Sequence, residues 1–320
     1  MSTVVRSEPA GLPHKAAIIG AGTMGLGVAE TFALAGLDVT LVDDTPDASE
    51  QALSRLQARV RGHVDAGLLP ETAIEAARKV RAASEIAEAV AKADLVLEAV
   101  PERIEIKRAV LAECDARAPA DAIIATNTSS LPIDDLAATV AKKDRFLGMH
   151  WFNPPEWTPA VELIPSALTS RETLERAREF LLAIGKKPVT VASGPGFVAN
   201  RIQFALFREA LACVEEGLAT AQEVDELVRS SFGFRLPFYG PFQVADMAGL
   251  DVYVNILDVL AEGLGADWEA AGALRDIVAE GRIGAKALAG FYDYSEAELA
   301  DLLIERDRRY AALLRLLADF

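Results

Sequence analysis

From Lys15 to Ala192 short apolar runs alternate with longer amphipathic segments, and beyond residue 194 only helical patterns remain. Runs at 16–19, 39–42, 95–97, 122–125, 146–149, 161–164 and 189–192 read as strands, with helices over 24–35, 49–64, 104–116 and 170–184 between them. Such alternation is what βαβ units produce when they build a largely parallel sheet. The turn cluster Ser193-Gly194-Pro195-Gly196 ends it, and helices are expected over 197–216, 221–230, 244–264, 268–279 and 297–317. The fold class is therefore α/β: a Rossmann-type N-terminal domain over 15–193, followed by an all-α C-terminal domain over 194–320. Residues 1–14, polar and holding two prolines, read as a flexible leader.

The first strand and helix are joined by Gly20-Ala21-Gly22-Thr23-Met24-Gly25, a G-x-G-x-x-G pattern. In that setting Gly20 makes the tight turn, Gly22 lets a pyrophosphate approach the backbone, and Gly25 permits close helix–strand contact. The first helical turn, at Thr23 and Met24, offers N–H donors to the phosphates. Eighteen residues after Gly25, Asp43 ends the second strand, placed to accept hydrogen bonds from both hydroxyls of an adenosine ribose. Asp44 and Asp47 follow with no Arg or Lys before Arg55, which disfavours a 2′-phosphate and makes NAD the expected cofactor.

Of the three histidines, His14 falls in the leader and His63 on a polar helix face, whereas His150 sits at the carboxyl end of the 146–149 strand, where ligands collect in doubly wound sheets. It reads either as a hydrogen-bonded structural histidine or as a base that takes a hydroxyl proton while hydride leaves for a nicotinamide. Twelve residues on, Glu162 sits between apolar neighbours in another strand. It is either an edge-strand carboxylate facing water or the group that orients the imidazole.

Gly20-x-Gly22-x-x-Gly25, Thr126-Asn127-Thr128-Ser129-Ser130, His150-Trp151-Phe152-Asn153-Pro154, Val161-Glu162, Pro195-Gly196-Phe197-Val198-x-Asn200-Arg201 and Gly240-Pro241-Phe242 occur in this order over roughly residues 16–294. Together they resemble the 3-hydroxyacyl-CoA dehydrogenase family. The resemblance implies a His150–Glu162 catalytic dyad, with Ser129 and Asn200 contacting the substrate as donors to the oxygen that becomes a ketone. It also implies cofactor contacts from Asp43, Glu102, Lys107, Ser129, Asn153 and Lys286, and a homodimer.

In the same family, part of coenzyme A is held by a lysine-rich hairpin after the second strand. Here the matching positions are Arg59 and Ala66, and the basic residues nearby are few, Arg55 and Arg61 among them. The stretch from Asn153 to Pro165 is similar to the gulonate 3-dehydrogenase (λ-crystallin-like) branch and to other non-CoA members, while Thr126 to Ser130 keeps the fatty-acyl form. The expected substrate is thus a free or non-CoA 3-hydroxy acid, gulonate- or carnitine-like, with Trp151, Trp157 and Phe238 as candidate pocket walls. The alternatives are a true L-3-hydroxyacyl-CoA dehydrogenase and an NAD-binding structural protein without turnover.

Composition narrows the partners. A formal net charge of −16 opposes nucleic acid and anionic membrane surfaces. The two cysteines, Cys114 and Cys213, lack disulfide-framework or zinc-ligand spacing, so no metal is expected. No run suits a membrane span or a signal peptide, which makes the cytoplasm the expected location.

Overall fold

The computed structural model of the protein describes residues 11–318, so positions 1–10 of the expected leader lie outside the described residues. The end of that leader is docked rather than loose. Leu12 packs against the core, Pro13 is buried, and the N–H groups of His14 and Lys15 both donate to Asp94 Oδ2 at 2.9 Å.

Among the described residues eight strands form one sheet: β1 (Lys15–Ile19), β2 (Asp38–Val42), β3 (Arg81–Ala82), β4 (Leu95–Glu98), β5 (Ile123–Thr126), β6 (Phe146–Trp151), β7 (Ala160–Pro165) and β8 (Lys187–Thr190). Their order across the sheet is β3-β2-β1-β4-β5-β6-β7-β8. Every neighbouring pair is parallel except β6 and β7, which run antiparallel. Chain order reverses between β1 and β4, the place where a doubly wound sheet opens a crevice at its strands' carboxyl ends.

Helices α1 (Thr23–Leu34), α2 (Pro46–Asp65), α3 (Thr72–Arg78), α4 (Ile86–Val90), α5 (Ile104–Arg117), α6 (Ile133–Ala137) and α7 (Arg171–Ala183) accompany the sheet. Two hydrophobic clusters line it. One gathers Phe32, Leu56, Trp151 and Phe180; the other gathers Leu111, Ile133, Leu136 and Phe146. With both faces covered, β4, β5 and β6 are buried along their whole length, which is why they read as near-continuous apolar runs. Local signals set the helix starts: Thr45 accepts from the Ala48 N–H with Pro46 in the first turn of α2, and Ser170 accepts from the Thr173 N–H at α7.

The chain divides into two compact units, one running through Leu206 and the other beginning at Phe207, inside α8 (Ala199–Glu215). The second unit continues with α9 (Ala221–Ser230), α10 (Pro241–Ala248), α11 (Leu250–Leu264), α12 (Gly272–Ala279) and α13 (Glu296–Ala318). The expected single helix over 244–264 is two helices. Gly249, at φ 104°, leaves the helical region between them, a conformation L side chains avoid. The helix expected from Trp268 starts only at Gly272, because residues 266–268 form a tighter turn. The expected strand over 189–192 begins two residues earlier, at Lys187, in register with Ala160 of β7. The α3, β3 and α4 elements went unread because they are too short to show a period. No described helix is long and apolar enough to cross a membrane.

Candidate active site

The glycine turn follows β1 directly. Gly20 has φ +95°, and a Cβ there would lie 2.8 Å from the Ala99 backbone, so no other residue fits. A Cβ on Gly25 would meet the Gly20 carbonyl oxygen at 1.9 Å, whereas one on Gly22 would meet nothing within 4 Å. Gly22 thus leaves open space in front of the first turn of α1, where no side chain caps the N–H groups of Thr23, Met24 and Gly25. Asp43, just past β2, turns Oδ2 to the Ala21 N–H at 3.2 Å. An uncapped helix N-terminus, a side-chain-free approach and a carboxylate beside the loop fit a dinucleotide: phosphates at the loop, ribose at Asp43.

On the other side of the crevice, β4 ends in Glu98, wholly buried and paired with the equally buried Lys107 of α5 at 2.7 Å. Lys107 also donates to the Val100 carbonyl at 3.1 Å and lies 3.4 Å from Glu102 Oε2. At 1% exposure its donors are committed to protein. Its charge also reaches Glu102, which stands nearer the surface.

Glu102 Oε1 gathers the turn after β5, accepting from Thr128 Oγ1 at 2.7 Å, from the N–H groups of Ser129 and Ser130 at 2.8 and 3.0 Å, and from both serine hydroxyls. Burial by itself would raise the Glu102 pKa. The Thr128 hydrogen bond, the Lys107 charge and the two serines outweigh it and hold the carboxyl at about 2. The Ser129 carbonyl accepts from Asn200 Nδ2 at 3.3 Å, so these two residues are neighbours.

β6 carries His150 and β7 carries Glu162, directly opposite in the antiparallel register. His150 Nδ1 lies 2.8 Å from Glu162 Oε2, and both residues are 4% exposed. The other oxygen, Oε1, accepts from the N–H groups of Val198 and Ala199 at 3.1 and 3.0 Å, where α8 begins. The carboxylate is thereby held by a helix N-terminus on one side and the imidazole on the other. A carboxylate at this place favours the tautomer with its proton on Nδ1, in which Nε2 is an acceptor. Phe152 and Phe197 flank the ring at centroid distances of 4.6 and 5.6 Å. Phe197 has φ 49°, an uncommon conformation for a non-glycine residue and one the sequence did not announce.

Asn153 is exposed, two residues past the end of β6. Lys286 belongs to the helical unit, where it pairs with both oxygens of Asp251 at 2.6 and 2.7 Å. Trp151 is not a pocket wall; it is 2% exposed and stacks edge-on with Phe32 in the core. Cys114 is buried, and burial, aided by Glu113 and Glu98, pushes its thiol up to about 12, leaving it unreactive.

A doubly wound sheet with an open glycine loop, an acidic residue after β2 and a carboxylate-held histidine near the carboxyl end of β6 defines an NAD-dependent oxidoreductase. Comparison with known proteins gives the family. Residues 15–194 match the model for the 3-hydroxyacyl-CoA dehydrogenase NAD binding domain, and residues 196–294 match that for the 3-hydroxyacyl-CoA dehydrogenase C-terminal domain. The 5-formyl-3-hydroxy-2-methylpyridine 4-carboxylate 5-dehydrogenase of Mesorhizobium japonicum is 36% identical over 94% of this chain and 97% of its own length. A probable 3-hydroxybutyryl-CoA dehydrogenase of Bacillus subtilis is 37% identical over 87% of this chain and 96% of its own. The crystal structure of a 3-hydroxyacyl-CoA dehydrogenase from Archaeoglobus fulgidus superposes with a TM-score of 0.78 at 30% identity, covering 95% of this chain and 99% of that one. The chain belongs to the 3-hydroxyacyl-CoA dehydrogenase family and is an NAD-dependent dehydrogenase acting on a CH–OH group.

Proposed function

We propose that the chain oxidises the 3-hydroxyl of a free or non-CoA 3-hydroxy acid. His150 takes the hydroxyl proton on Nε2, and Glu162 keeps the ring oriented and offsets the imidazolium charge that forms. NAD, when bound, accepts the hydride that leaves the same carbon. The Ser129 hydroxyl and the Asn200 amide serve as donors to the oxygen as it becomes a carbonyl. For Ser129 this requires its hydroxyl to turn away from Glu102 Oε1, 3.2 Å distant. Within the cofactor site Asp43 takes the adenosine ribose, and Glu102 and Asn153 serve the nicotinamide half. The observation that carries the reading is the 2.8 Å contact between His150 and Glu162 beside the carboxyl end of the sheet.

The preference for a free acid rests on α2. Arg59 is enclosed by the carboxylates of Glu30 and Glu156, and Arg55 donates to the Ala21 carbonyl at 3.1 Å. Of the three arginines of this helix, Arg55 and Arg61 are exposed and Arg59 is the one engaged by carboxylates. With Arg59 engaged internally, Arg55 tied to a backbone carbonyl and no lysine on the helix, little positive charge remains for the phosphates of a coenzyme A.

NADH formation with L-3-hydroxybutyryl-CoA, free 3-hydroxybutyrate, L-gulonate and L-carnitine, alongside His150→Ala, tests both parts. Turnover of acids but not of the thioester supports the reading. A preference for the thioester returns the chain to the fatty-acyl members, and NAD binding without any turnover favours the structural-protein alternative. We also propose a homodimer, supported by the exposed apolar stripe Val252, Ile256 and Val259 along α11, and a cytoplasmic setting, in keeping with two free cysteines.

A further inference from the structure

Away from the dyad, one ion cluster joins three segments that the sequence separates widely. Glu30 lies on α1, Arg59 and His63 lie on α2, and Glu156 lies in the 153–159 loop between β6 and β7. Arg59 Nε is 2.9 Å from Glu30 Oε2, its Nη2 contacts Glu156 Oε1, and His63 Nδ1 is 2.9 Å from Glu30 Oε1. The Glu30 side chain is wholly buried and that of Glu156 is 6% exposed. Burial pushes the Glu30 carboxyl above its ordinary value, with the His63 hydrogen bond and the Arg59 charge opposing.

The loop is held from its other side as well. Lys186 Nζ donates to the carbonyls of Pro155 and Thr158 at 2.6 and 3.0 Å, and Trp157 meets the His63 ring edge-on at 5.5 Å. Its contact with α1 is close: a Cβ on Gly27 would stand 2.5 Å from Pro155 and 2.8 Å from Glu156. The loop begins just past β6, two residues after Trp151 and three after His150, while α1 begins at the glycine turn. Two buried carboxylates cannot share this space without the guanidinium between them.

We propose that Arg59 is a positioning residue, its fork bridging Glu30 and Glu156 so that the 153–159 loop, and with it Asn153 and the end of the His150 strand, is fixed relative to the glycine turn. The inference rests on the reading of His150 as base and of the glycine turn as cofactor site. Arginine suits the task because one planar group presents separate N–H edges to two acceptors, which an ammonium cannot match.

Trp157 supplies a readout independent of turnover. In a Trp268→Phe background, Trp151 is shielded in the core and Trp157 is 48% exposed, so acrylamide quenching reports on the loop. Arg59→Met and Glu156→Gln should each raise that quenching and lower kcat by about tenfold, since small misplacements of reacting groups are costly. The double variant should be no worse than Arg59→Met alone. Arg59→Lys, which retains a charge, should regain thermal stability without regaining kcat. The inference is overturned if Arg59→Lys matches the parent in kcat, or if Arg59→Met lowers the melting temperature while kcat and quenching stay unchanged. Should His150→Ala prove fully active, the reading of the base fails, yet quenching and melting of the Arg59 and Glu156 variants still decide whether the loop is pinned.

Discussion

His150 and Glu162 are a directly opposed pair on adjacent antiparallel strands, with Met149 facing Leu163 and Trp151 facing Val161 on either side. Their separation of twelve residues is therefore a property of the β6–β7 hairpin, and their 2.8 Å contact is fixed by backbone register before any side chain adjusts. A one-residue slip would send one of the two to the opposite face of the sheet.

From this register follows the behaviour of the dyad. His150→Ala should reduce turnover by about 10²–10⁴-fold while NADH still binds, as loss of a general base does. Glu162→Gln preserves the shape and can still accept from Val198 and Ala199, yet it no longer holds a charged partner for the imidazolium. We expect a loss of similar order with little change in melting. Glu162→Ala also strands the two N–H groups at the start of α8 and should cost about 1–3 kcal/mol of stability in urea unfolding. Full activity in Glu162→Gln would exclude the orienting role.

The glycine turn makes a contrast between two identical changes three residues apart. Gly22→Ala adds a Cβ to open space, so folding should be untouched while NADH affinity, read by fluorescence, falls by about tenfold or more, a loss of roughly 1.4 kcal/mol. Gly25→Ala drives its Cβ into the Gly20 carbonyl at 1.9 Å and should fail to give a stable protein. If Gly22→Ala bound NADH as the parent does, the phosphates could not lie where the open N-terminus of α1 suggests.

Glu102 ties stability to pH. Its folded pKa of about 2 lies below the ordinary 4.5, so the folded state binds its proton less readily than the unfolded chain does. The stabilisation is fully present above pH 4.5 and is lost as pH falls toward 2. Glu102→Gln should flatten that part of the urea-midpoint profile by about 1 kcal/mol, once partial exposure of the side chain is allowed for. An unchanged acid limb would mean that the Thr128–Ser130 turn is not held by this carboxylate.

The alternating apolar runs, the glycine turn and the histidine at a strand end were all legible because each is local: a period, a spacing or a neighbour. What stayed hidden depends on distant segments meeting. Glu98 lies just past the strand read over 95–97 and Lys107 stands in the sequence as a cofactor candidate, and only their mutual burial shows that each is the other's partner. Arg59 and Glu156 are 97 residues apart, and no window of sequence contains both. The break at Gly249 was concealed by apolar residues that continue the helical pattern on both sides, since the pattern is blind to one residue's φ.

The helical unit buries little on its own: among the described residues α8, α9, α12 and α13 have none that is fully buried, and α11 has only Leu250. On α11, Val252, Ile256 and Val259 are 39, 51 and 68% exposed at helical spacing, and on α8 Phe207 and Leu211 are 61 and 45% exposed one turn apart. Covering side chains of this size is worth about 1.5–3 kcal/mol each, enough for a few of them to hold two copies together. Light scattering on the purified protein should therefore give twice the mass of one chain. Ile256→Asp with Val259→Asp places two charges in the stripe and should halve that mass, because a carboxylate cannot be buried there without a partner. A parent protein that runs as a monomer at micromolar concentration would remove the dimer from the reading and leave the apolar stripe to another occupant.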